Sequence, residues 1–195
     1  DWQDRVEELH QQLMENVAES DDELLEKFFE EGELSDEEIR NGLKGALRQQ
    51  TFIPVFAVAS GVSVGVPQLM DFLSAYAPSP CDGAVVTATR SDDQTLEIGL
   101  DDDSPLLSIF KTVSEPHVGE LSFFRLYSGK VETGMDLHNT SRNHSERVGQ
   151  IFQMNGKDRS QVKAVQAGDL AAFVKLKGTH TCDTLSDLKT KLKLP

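Results

Sequence analysis

Residues 106–138 read LLSIFKTVSEPHVGELSFFRLYSGKVETGMDLH, and this stretch decides the fold of the second half of the chain. Apolar, aromatic and β-branched residues dominate Leu106–Val113 and Glu120–Tyr127. Ser128-Gly129-Lys130 then separates the second run from a third, Val131–His138. Short runs of this composition between turn residues are typical of antiparallel strands joined by hairpins. We therefore predict consecutive β-strands here.

The β pattern continues on both sides of this stretch. Five further runs have the same character: Ala84–Ala88, Thr95–Leu100, Arg147–Met154, Gln161–Ala164 and Asp169–Leu176. Eight short strands in succession predict a small closed antiparallel β-barrel, with a β-sandwich as the alternative. Two prolines, Pro78 and Pro80, forbid a helix from running into this region. The β domain is therefore expected to occupy residues 81–195.

Residues 1–50 have a helical pattern. Ser20 with Glu23 and Ser35 with Glu38 have the spacing of capping boxes, which predicts two helix starts. Apolar residues before them recur every three or four positions, and this predicts one buried helix face. The residues of that face are Trp2, Val6, Leu9, Leu13 and Val17.

Residues 52–76 have the pattern of half a parallel α/β unit. Phe52–Ala59 is a continuous apolar run, which predicts a strand buried on both faces. The small-residue loop Ser60–Gly65 follows, and Pro67 suits the first turn of a helix. Because half a unit needs a sheet to pack on, residues 1–80 are interpreted as an incomplete α/β domain that carries extra helices.

Charge and composition limit the class of protein. The 195 residues carry a net charge of −14, and residues 1–50 contribute most of it with 16 acids against 5 bases. Residues 120–195 hold 12 bases and 8 acids. No run of eighteen apolar residues and no apolar signal segment is present, so we expect a soluble cytoplasmic protein without membrane contact. The chain lacks an initiator Met, and we expect it to be a piece of a longer protein.

Catalytic and metal motifs are absent from the sequence. There is no G-x-x-x-x-G-K-[ST] loop and no Asn-Lys-x-Asp motif, and the five histidines do not pair at metal-ligand spacing. Cys81 and Cys182 lie far apart and predict two reduced thiols. Asp101–Asp103 is interpreted as an acidic turn, and His180–Asp183 as a strand or turn rather than a nucleophile site. We therefore predict no catalytic and no metal-binding residue in this chain.

Ordered matches along the chain resemble bacterial elongation factor G. Glu8–Glu15, Leu24–Phe28 and Gly32–Ile39 resemble the helical insertion of its GTPase domain. Ile53–Phe56 and Tyr76–Pro80 resemble the last strand and the exit of that domain. The second domain of the family, a β-barrel, is matched by several segments: Phe110–Thr112, Glu115–Gly119, Leu121–Gly129, Glu146–Gly149, Ala167–Asp169 and Asp183–Leu185.

The resemblance implies a translational GTPase that acts on the ribosome, with GTP and Mg²⁺ as cofactors of the whole protein. The family moves tRNA and mRNA during protein synthesis, or helps to split ribosomes after termination. Because the phosphate-binding motifs are not in this chain, we expect the chain by itself to be inactive. A non-catalytic ribosome-binding module and a recycling or ribosome-protection paralogue stay open as alternatives.

The resemblance also assigns binding residues. Val58, Ala59 and Ser60 match the loop whose backbone amides recognise guanine in the family, although Val62-Ser63-Val64 stands where the family usually has lysine, asparagine and lysine. The helical insertion of the family lies near the stalk protein of the large ribosomal subunit. One face of the first helix would present three acids to that protein: Glu8, Glu15 and Glu19.

The second domain of the family rests on small-subunit RNA. Four residues in predicted turns are candidate phosphate contacts: Arg142, His144, Lys157 and Arg159. We expect no DNA partner and a monomeric chain.

Overall fold

A computed structural model of the protein describes residues 1–82, 85–115 and 118–195. Ala84, the first residue of a predicted strand, and the Pro116-His117 pair of a resemblance segment lie outside the described residues. The chain divides into two compact units, Asp1–Ser79 (unit 1) and Pro80–Pro195 (unit 2). Each unit is described by itself.

Unit 1 is helical. Its elements are α1 (Trp2–Ala18), α2 (Asp22–Glu31), α3 (Asp36–Gln49), the single 3₁₀ turn Ser60–Val62 and α4 (Val66–Tyr76). Pro67 lies in the first turn of α4, as the sequence predicts. Among the described residues, none of the helices combines the length and the apolar character that crossing a bilayer requires.

Only the C-terminal part of α1 is packed, so the prediction of a buried face along its whole length is wrong. Met14, Val17 and Ala18 are buried, whereas Trp2 is 85% exposed. The close approach of α3 explains the packed end, because a Cβ on Gly42 would lie 2.6 Å from Val17 Cγ1. The first turns of α1 extend past this contact into solvent.

The helix caps agree with the sequence at α3 and differ at α2. Ser35 and Glu38 form the predicted capping box. At α2 the N-cap is Asp21, whose carboxylate accepts from two amides of the first turn. Ser20 instead donates its hydroxyl to the carbonyls of Val17 (2.6 Å) and Gly42 (3.3 Å). An Asp directly before the helix therefore replaces the predicted Ser20 cap.

The predicted buried strand Phe52–Ala59 is wrong. Within the part of the chain that the structure describes, these residues form no strand, and Val55 is 91% exposed. A parallel strand needs neighbouring strands to satisfy its amides. Among the described residues, unit 1 offers this segment only one isolated bridge, between Ala59 and Val64.

Unit 2 is a β domain. Its strands are β1 (Val86–Thr89), β2 (Thr95–Ile98), β3 (Leu106–Glu115), β4 (Gly119–Ser128), β5 (Lys130–Glu132), β6 (Asp136–Asn139), β7 (His144–Arg147), β8 (Ile151–Asn155), β9 (Asp158–Val162), β10 (Ala164–Gln166), β11 (Leu170–Val174) and β12 (Thr184–Ser186). The predicted run Val131–His138 is divided into β5 and β6 at Gly134, whose φ is +90°. All the described pairings within unit 2 are antiparallel, as predicted.

The long hairpin β3–β4 is the centre of the sheet. Ile109 faces Phe124 across it, and β11 pairs with the other edge of β4. Phe124 and Phe173 stack with ring centroids 4.0 Å apart in the main core. Alternating residues of β4 are buried, which is the period that one covered sheet face requires.

The closed barrel is not confirmed. The main sheet has eight strands in the order β7-β6-β12-β3-β4-β11-β8-β9, and the described residues show no pairing between its end strands β7 and β9. Two-stranded ribbons, β1–β2 and β5–β10, accompany it. The sequence of β9 is DRSQV, and four of its five residues are exposed. β9 therefore has little apolar surface against which a further strand would pack.

Candidate functional site

Glu146 on β7 is a buried carboxylate that is fully engaged by hydrogen bonds. Its side chain is 3% exposed. Oε1 accepts from the amide of Gly178 at 2.8 Å, from Thr179 Oγ1 at 2.9 Å and from His144 Nε2 at 3.0 Å. Oε2 accepts from the amide of Lys177 at 3.1 Å. The strand is thereby tied to a loop more than thirty positions away in the sequence.

Asp183, which precedes β12, is the second buried carboxylate. Its Oδ2 accepts from Arg142 Nε at 2.7 Å, from the amide of His180 at 2.8 Å and from Asn139 Nδ2 at 2.9 Å. Asn139 also donates to Thr179 Oγ1 at 3.1 Å, which connects the two carboxylates. We call Asn139, Arg142, His144, Glu146, Thr179 and Asp183 the carboxylate cluster.

Both carboxylates are held in the ionised form. Burial is the largest influence on the pKa of Glu146 and raises it, but the hydrogen bonds from His144 and from the 177–179 loop together lower it below its ordinary range. Burial likewise raises the pKa of Asp183, and its donors His180, Asn139 and Arg142 outweigh burial and lower it. A buried charge of this kind is tolerated because it is hydrogen-bonded.

The carboxylate cluster joins separate segments of unit 2. Both oxygens of Glu146 and Oδ2 of Asp183 accept hydrogen bonds from donors of the protein. Within the described residues, no group of three or more His, Cys, Asp or Glu side chains is arranged to hold a metal. The cluster fixes the 177–183 segment against the β6–β7 hairpin.

The sequence contained a signal for this cluster that spacing alone did not reveal. Glu146 and Asp183 open two of the segments that resemble elongation factor G, Glu146–Gly149 and Asp183–Leu185. Each carboxylate also stands close to a buried apolar residue, Val148 in one case and Leu185 in the other. A charged residue between core positions indicates a buried polar network.

The predicted RNA contacts are divided between two hairpins. Arg142 and His144 lie on the β6–β7 hairpin, where both bind the buried carboxylates, and the Arg142 side chain stays 47% exposed. Lys157 and Arg159 lie on the β8–β9 hairpin. Lys157 is exposed at the turn, whereas Arg159 pairs with Glu115 at 2.8 Å.

The predicted guanine loop is a tight turn with an exposed tip. Ala59 and Val64 exchange both backbone hydrogen bonds, at 2.9 and 3.2 Å. Within the described chain, the amides of Ser60 and Gly61 take no part in the backbone bonds of this loop, and Val58 is partly exposed beside it. The turn therefore leaves two backbone amides available at its tip, and the sequence holds no loop for the phosphates of a nucleotide.

The acids predicted to meet the stalk protein lie on the exposed side of α1. Glu8 forms an ion pair with Arg5 at 2.6 Å, while Glu15 and Glu19 are exposed near the end of the helix. Neither of these two has an ion-pair partner among the described residues. The face is acidic, and its two acids without an ion-pair partner among the described residues, Glu15 and Glu19, lie at the C-terminal end of α1.

Comparison with known proteins identifies the β domain. Residues 106–188 match the family model "Elongation factor G domain 2". A crystal structure of the protein ttk003000868 from Thermus thermophilus superposes with a TM-score of 0.73 at 25% sequence identity. That superposition covers 95% of this chain and 25% of the other, so this chain spans about a quarter of that protein's length.

The sheet, its register and the family match define a translation-factor β domain. More particularly, residues 106–188 resemble domain 2 of elongation factor G, and the fold of the chain resembles part of the Thermus thermophilus protein.

Proposed function

We propose that this chain is part of an elongation-factor-G-like translational GTPase that works on the ribosome in GTP-dependent translocation of tRNA and mRNA. The observation that carries the proposal is the domain 2 match over residues 106–188. The likeness of 95% of the chain to one larger protein supports extending it to unit 1. The whole protein is proposed to be cytoplasmic and monomeric.

Unit 2 is the part that we propose to dock on small-subunit RNA. Lys157 is exposed and forms no ion pair with the described residues, and Arg142 keeps almost half of its side chain accessible beside Asp183. Cations that are positioned by the fold and still face solvent suit phosphate contacts. His144 and Arg159 are more heavily engaged by Glu146 and Glu115, so we assign them the smaller share of binding.

Unit 1 is proposed to complete a GTPase domain, with residues 1–80 as its end and its helical insertion. Several large apolar side chains are exposed around the segment that follows α3: Ile53, Val55, Phe56, Val58, Val62, Val64, Met70 and Leu73. Patches of this extent indicate a surface that another part of a protein covers. The β-sheet of the GTPase domain is the proposed cover.

The nucleotide chemistry is proposed to belong to the whole protein. Residues that bind phosphates and Mg²⁺ are not encoded in this chain, whereas the Ala59–Gly65 loop presents amides that suit the base. GTP and Mg²⁺ supply the phosphoryl-transfer chemistry when bound, and this chain contributes at most the orientation of the base. Alone, it is expected not to hydrolyse GTP.

Binding to isolated small ribosomal subunits tests the proposal. The 195-residue chain should cosediment with small subunits and be displaced by full-length elongation factor G. An Arg142→Gln/Lys157→Gln variant should bind at least about fivefold more weakly, with a shallower salt dependence. Lys44→Gln/Arg48→Gln, which removes the same charge from α3 in unit 1, is the control. Binding that neither competitor nor variant affects would overturn the proposed docking.

A non-catalytic ribosome-binding module is the second candidate. The observation that favours it is the Val62-Ser63-Val64 sequence in the loop, which lacks the polar residues usual in the family. Ribosome-stimulated GTP hydrolysis by the full-length protein distinguishes the two candidates, because only a translational GTPase turns over. A tRNA translocation assay then separates the translocase from recycling and protection factors.

A further inference from the structure

A polar cavity of about 380 Å³ opens in unit 2 where three segments of the chain meet. The segments are the turn after β1, the β6–β7 hairpin and the C-terminal residues 191–193. It is lined almost entirely by polar side chains, among them Arg90, Ser91, His138, Lys191 and Lys193. None of these residues belongs to the proposed RNA-docking set.

The cavity is built by the fold. Thr89 and Lys193 exchange two backbone hydrogen bonds of 2.8 Å each. Leu192 is buried in a small core with Ala88, Ile98 and Leu106, and Leu194 packs against it. Leu192 is thereby held inside, while Lys191 and Lys193 on either side of it are exposed and line the cavity.

The cavity carries an excess of positive charge. Arg90, Lys191 and Lys193 line it, and Asp93 is the one acid among the described lining residues. No ion pair is formed by these three cations within the described chain, whereas other cations of unit 2, such as Lys130 and Arg159, are paired. Unpaired cations in a concave site are the arrangement that attracts anions.

Arg90, which lines the cavity, has one unpartnered nitrogen. Its Nε is inaccessible to solvent and has no hydrogen-bond partner among the described residues, although Nη1 lies 3.4 Å from Gln94 Oε1. A buried donor without an acceptor costs about 1–3 kcal/mol, so such groups are rare in folded proteins.

The pKa of His138, which also lines this cavity, is influenced by the nearby positive charge. His138 is 7% exposed, and burial lowers the pKa of its imidazole first, followed by the positive charges of Lys191 and His144. A side-chain hydrogen bond with Asn143 acts in the opposite direction on this pKa. The lowered pKa favours the neutral imidazole, whose ring hydrogen bond goes to Asn143.

We propose that this cavity binds a phosphate group, with Arg90, Lys191 and Lys193 as its charged contacts and Ser91 as a hydroxyl donor. Its volume lies within the roughly 300–1,000 Å³ of ligand pockets and leaves room for more than the phosphate itself. The group is either a phosphodiester of RNA or a free phosphorylated small molecule. Only the RNA source rests on the proposed ribosomal function, because inorganic phosphate tests the pocket without it.

The experiment is a titration of the ¹⁵N-labelled 195-residue chain at constant ionic strength, first with inorganic phosphate and then with a short RNA hairpin. Phosphate should cause saturable shifts in the amides of Arg90, Ser91, Lys191 and Lys193. Lys191→Gln/Lys193→Gln should weaken binding of phosphate at least about tenfold. Lys130→Gln/Lys163→Gln, a pair that lines another cavity, should change it less than about twofold.

The two probes separate the possible sources of the phosphate. If phosphate and RNA both lose affinity in the pocket variant alone, the group bound is an RNA phosphodiester. If phosphate binding depends on the pocket and RNA binding does not, the ligand is a phosphorylated small molecule. Absence of saturable shifts in the unmodified chain, or equal losses in both double variants, would overturn the pocket. The unmodified chain makes this outcome independent of whether the variants fold.

Discussion

Units 1 and 2 bury their apolar residues to very different degrees. The main core of unit 2 contains Phe124, Phe173 and Leu185 with no exposed surface, and each of its buried carboxylates accepts several hydrogen bonds. In the described part of unit 1, α2 and α4 contain no buried residue, and Val55 and Trp2 lie in solvent. The comparison shows that unit 2 closes its own core, whereas unit 1 leaves large apolar side chains exposed.

The largest difference between the units is expected from truncating one aromatic side chain in each. Phe173→Ala should lower the free energy of unfolding of unit 2 by about 3–5 kcal/mol, because it removes a fully buried ring and leaves a cavity. Trp2→Ala should change stability by less than about 0.5 kcal/mol. Amide hydrogen exchange in urea measures each unit separately. A loss below about 1 kcal/mol for Phe173→Ala would contradict a self-contained core.

The carboxylate cluster is expected to make the next largest contribution. Glu146→Gln replaces one charged acceptor by an NH₂ donor facing Gly178, Thr179 or Lys177, and should cost unit 2 about 1–3 kcal/mol. Glu132→Gln, at an exposed position of β5 and paired with Lys130, is the matched control and should cost less than about 0.5 kcal/mol. Equal effects from the two variants would show that the buried hydrogen bonds contribute nothing specific.

Acid should destabilise unit 2 through the same groups. The folded pKa values of Glu146 and Asp183 lie below their ordinary values of 4.5 and 3.8, so the unfolded chain takes up protons first as the pH falls. Their stabilisation is complete above about pH 5 and decreases below it. Urea midpoints between about pH 7 and pH 3 should show this loss, and Glu146→Gln should reduce the slope. A slope that the substitution leaves unchanged would assign the acid sensitivity to other groups.

Helix capping in unit 1 should have a smaller effect. Ser35→Ala removes the N-cap of α3 and should lower the free energy of unfolding of unit 1 by about 1 kcal/mol. The unfolding midpoint, followed by helical circular dichroism, should fall accordingly. Ser74→Ala in exposed α4 is the control, and should be neutral or slightly stabilising because alanine favours the helix. If the two variants were indistinguishable, the capping box would have no energetic role.

The smallest expected effect concerns the exposed segment after α3. Val55→Ser should change the stability of the 195-residue chain by less than about 0.5 kcal/mol, since the side chain already contacts solvent. In the full-length protein the same substitution should cost about 1–2 kcal/mol if a sheet covers the segment. Thermal unfolding of both forms measures the difference, and equal costs would contradict the proposed cover.

Local patterns predicted the parts of the fold that local interactions determine. The β3–β4 hairpin follows from alternation within each strand, and the α3 cap follows from two residues three positions apart. The segment Phe52–Ala59 was predicted wrongly because apolar composition reports a preference for burial, whereas a strand forms only beside another strand. Likewise, the apolar stripe of α1 indicates a preference for burial, but it is buried only at the end where another helix packs against it.

The carboxylate cluster escaped prediction because its parts are distant in the sequence. Glu146 and Thr179 are 33 positions apart, and Asn139 and Asp183 are 44 positions apart. Spacing rules that detect catalytic or metal motifs do not extend to such pairs. Arg142 lies in a turn, as predicted, whereas His144, predicted in a turn, begins β7. Their engagement by buried acids depends on contacts that only the folded sheet creates.

The position of β12 has a consequence for how the domain forms. Thr184–Ser186 is the last strand along the described chain, yet it lies in the middle of the main sheet between β6 and β3. During synthesis, β3 to β11 leave the ribosome before the strand that joins β3 to β6 exists. The nascent domain thus exposes two unpaired sheet edges until its final segment emerges, a state open to pairing with other chains. Completion of folding is therefore delayed until almost the whole domain has been made.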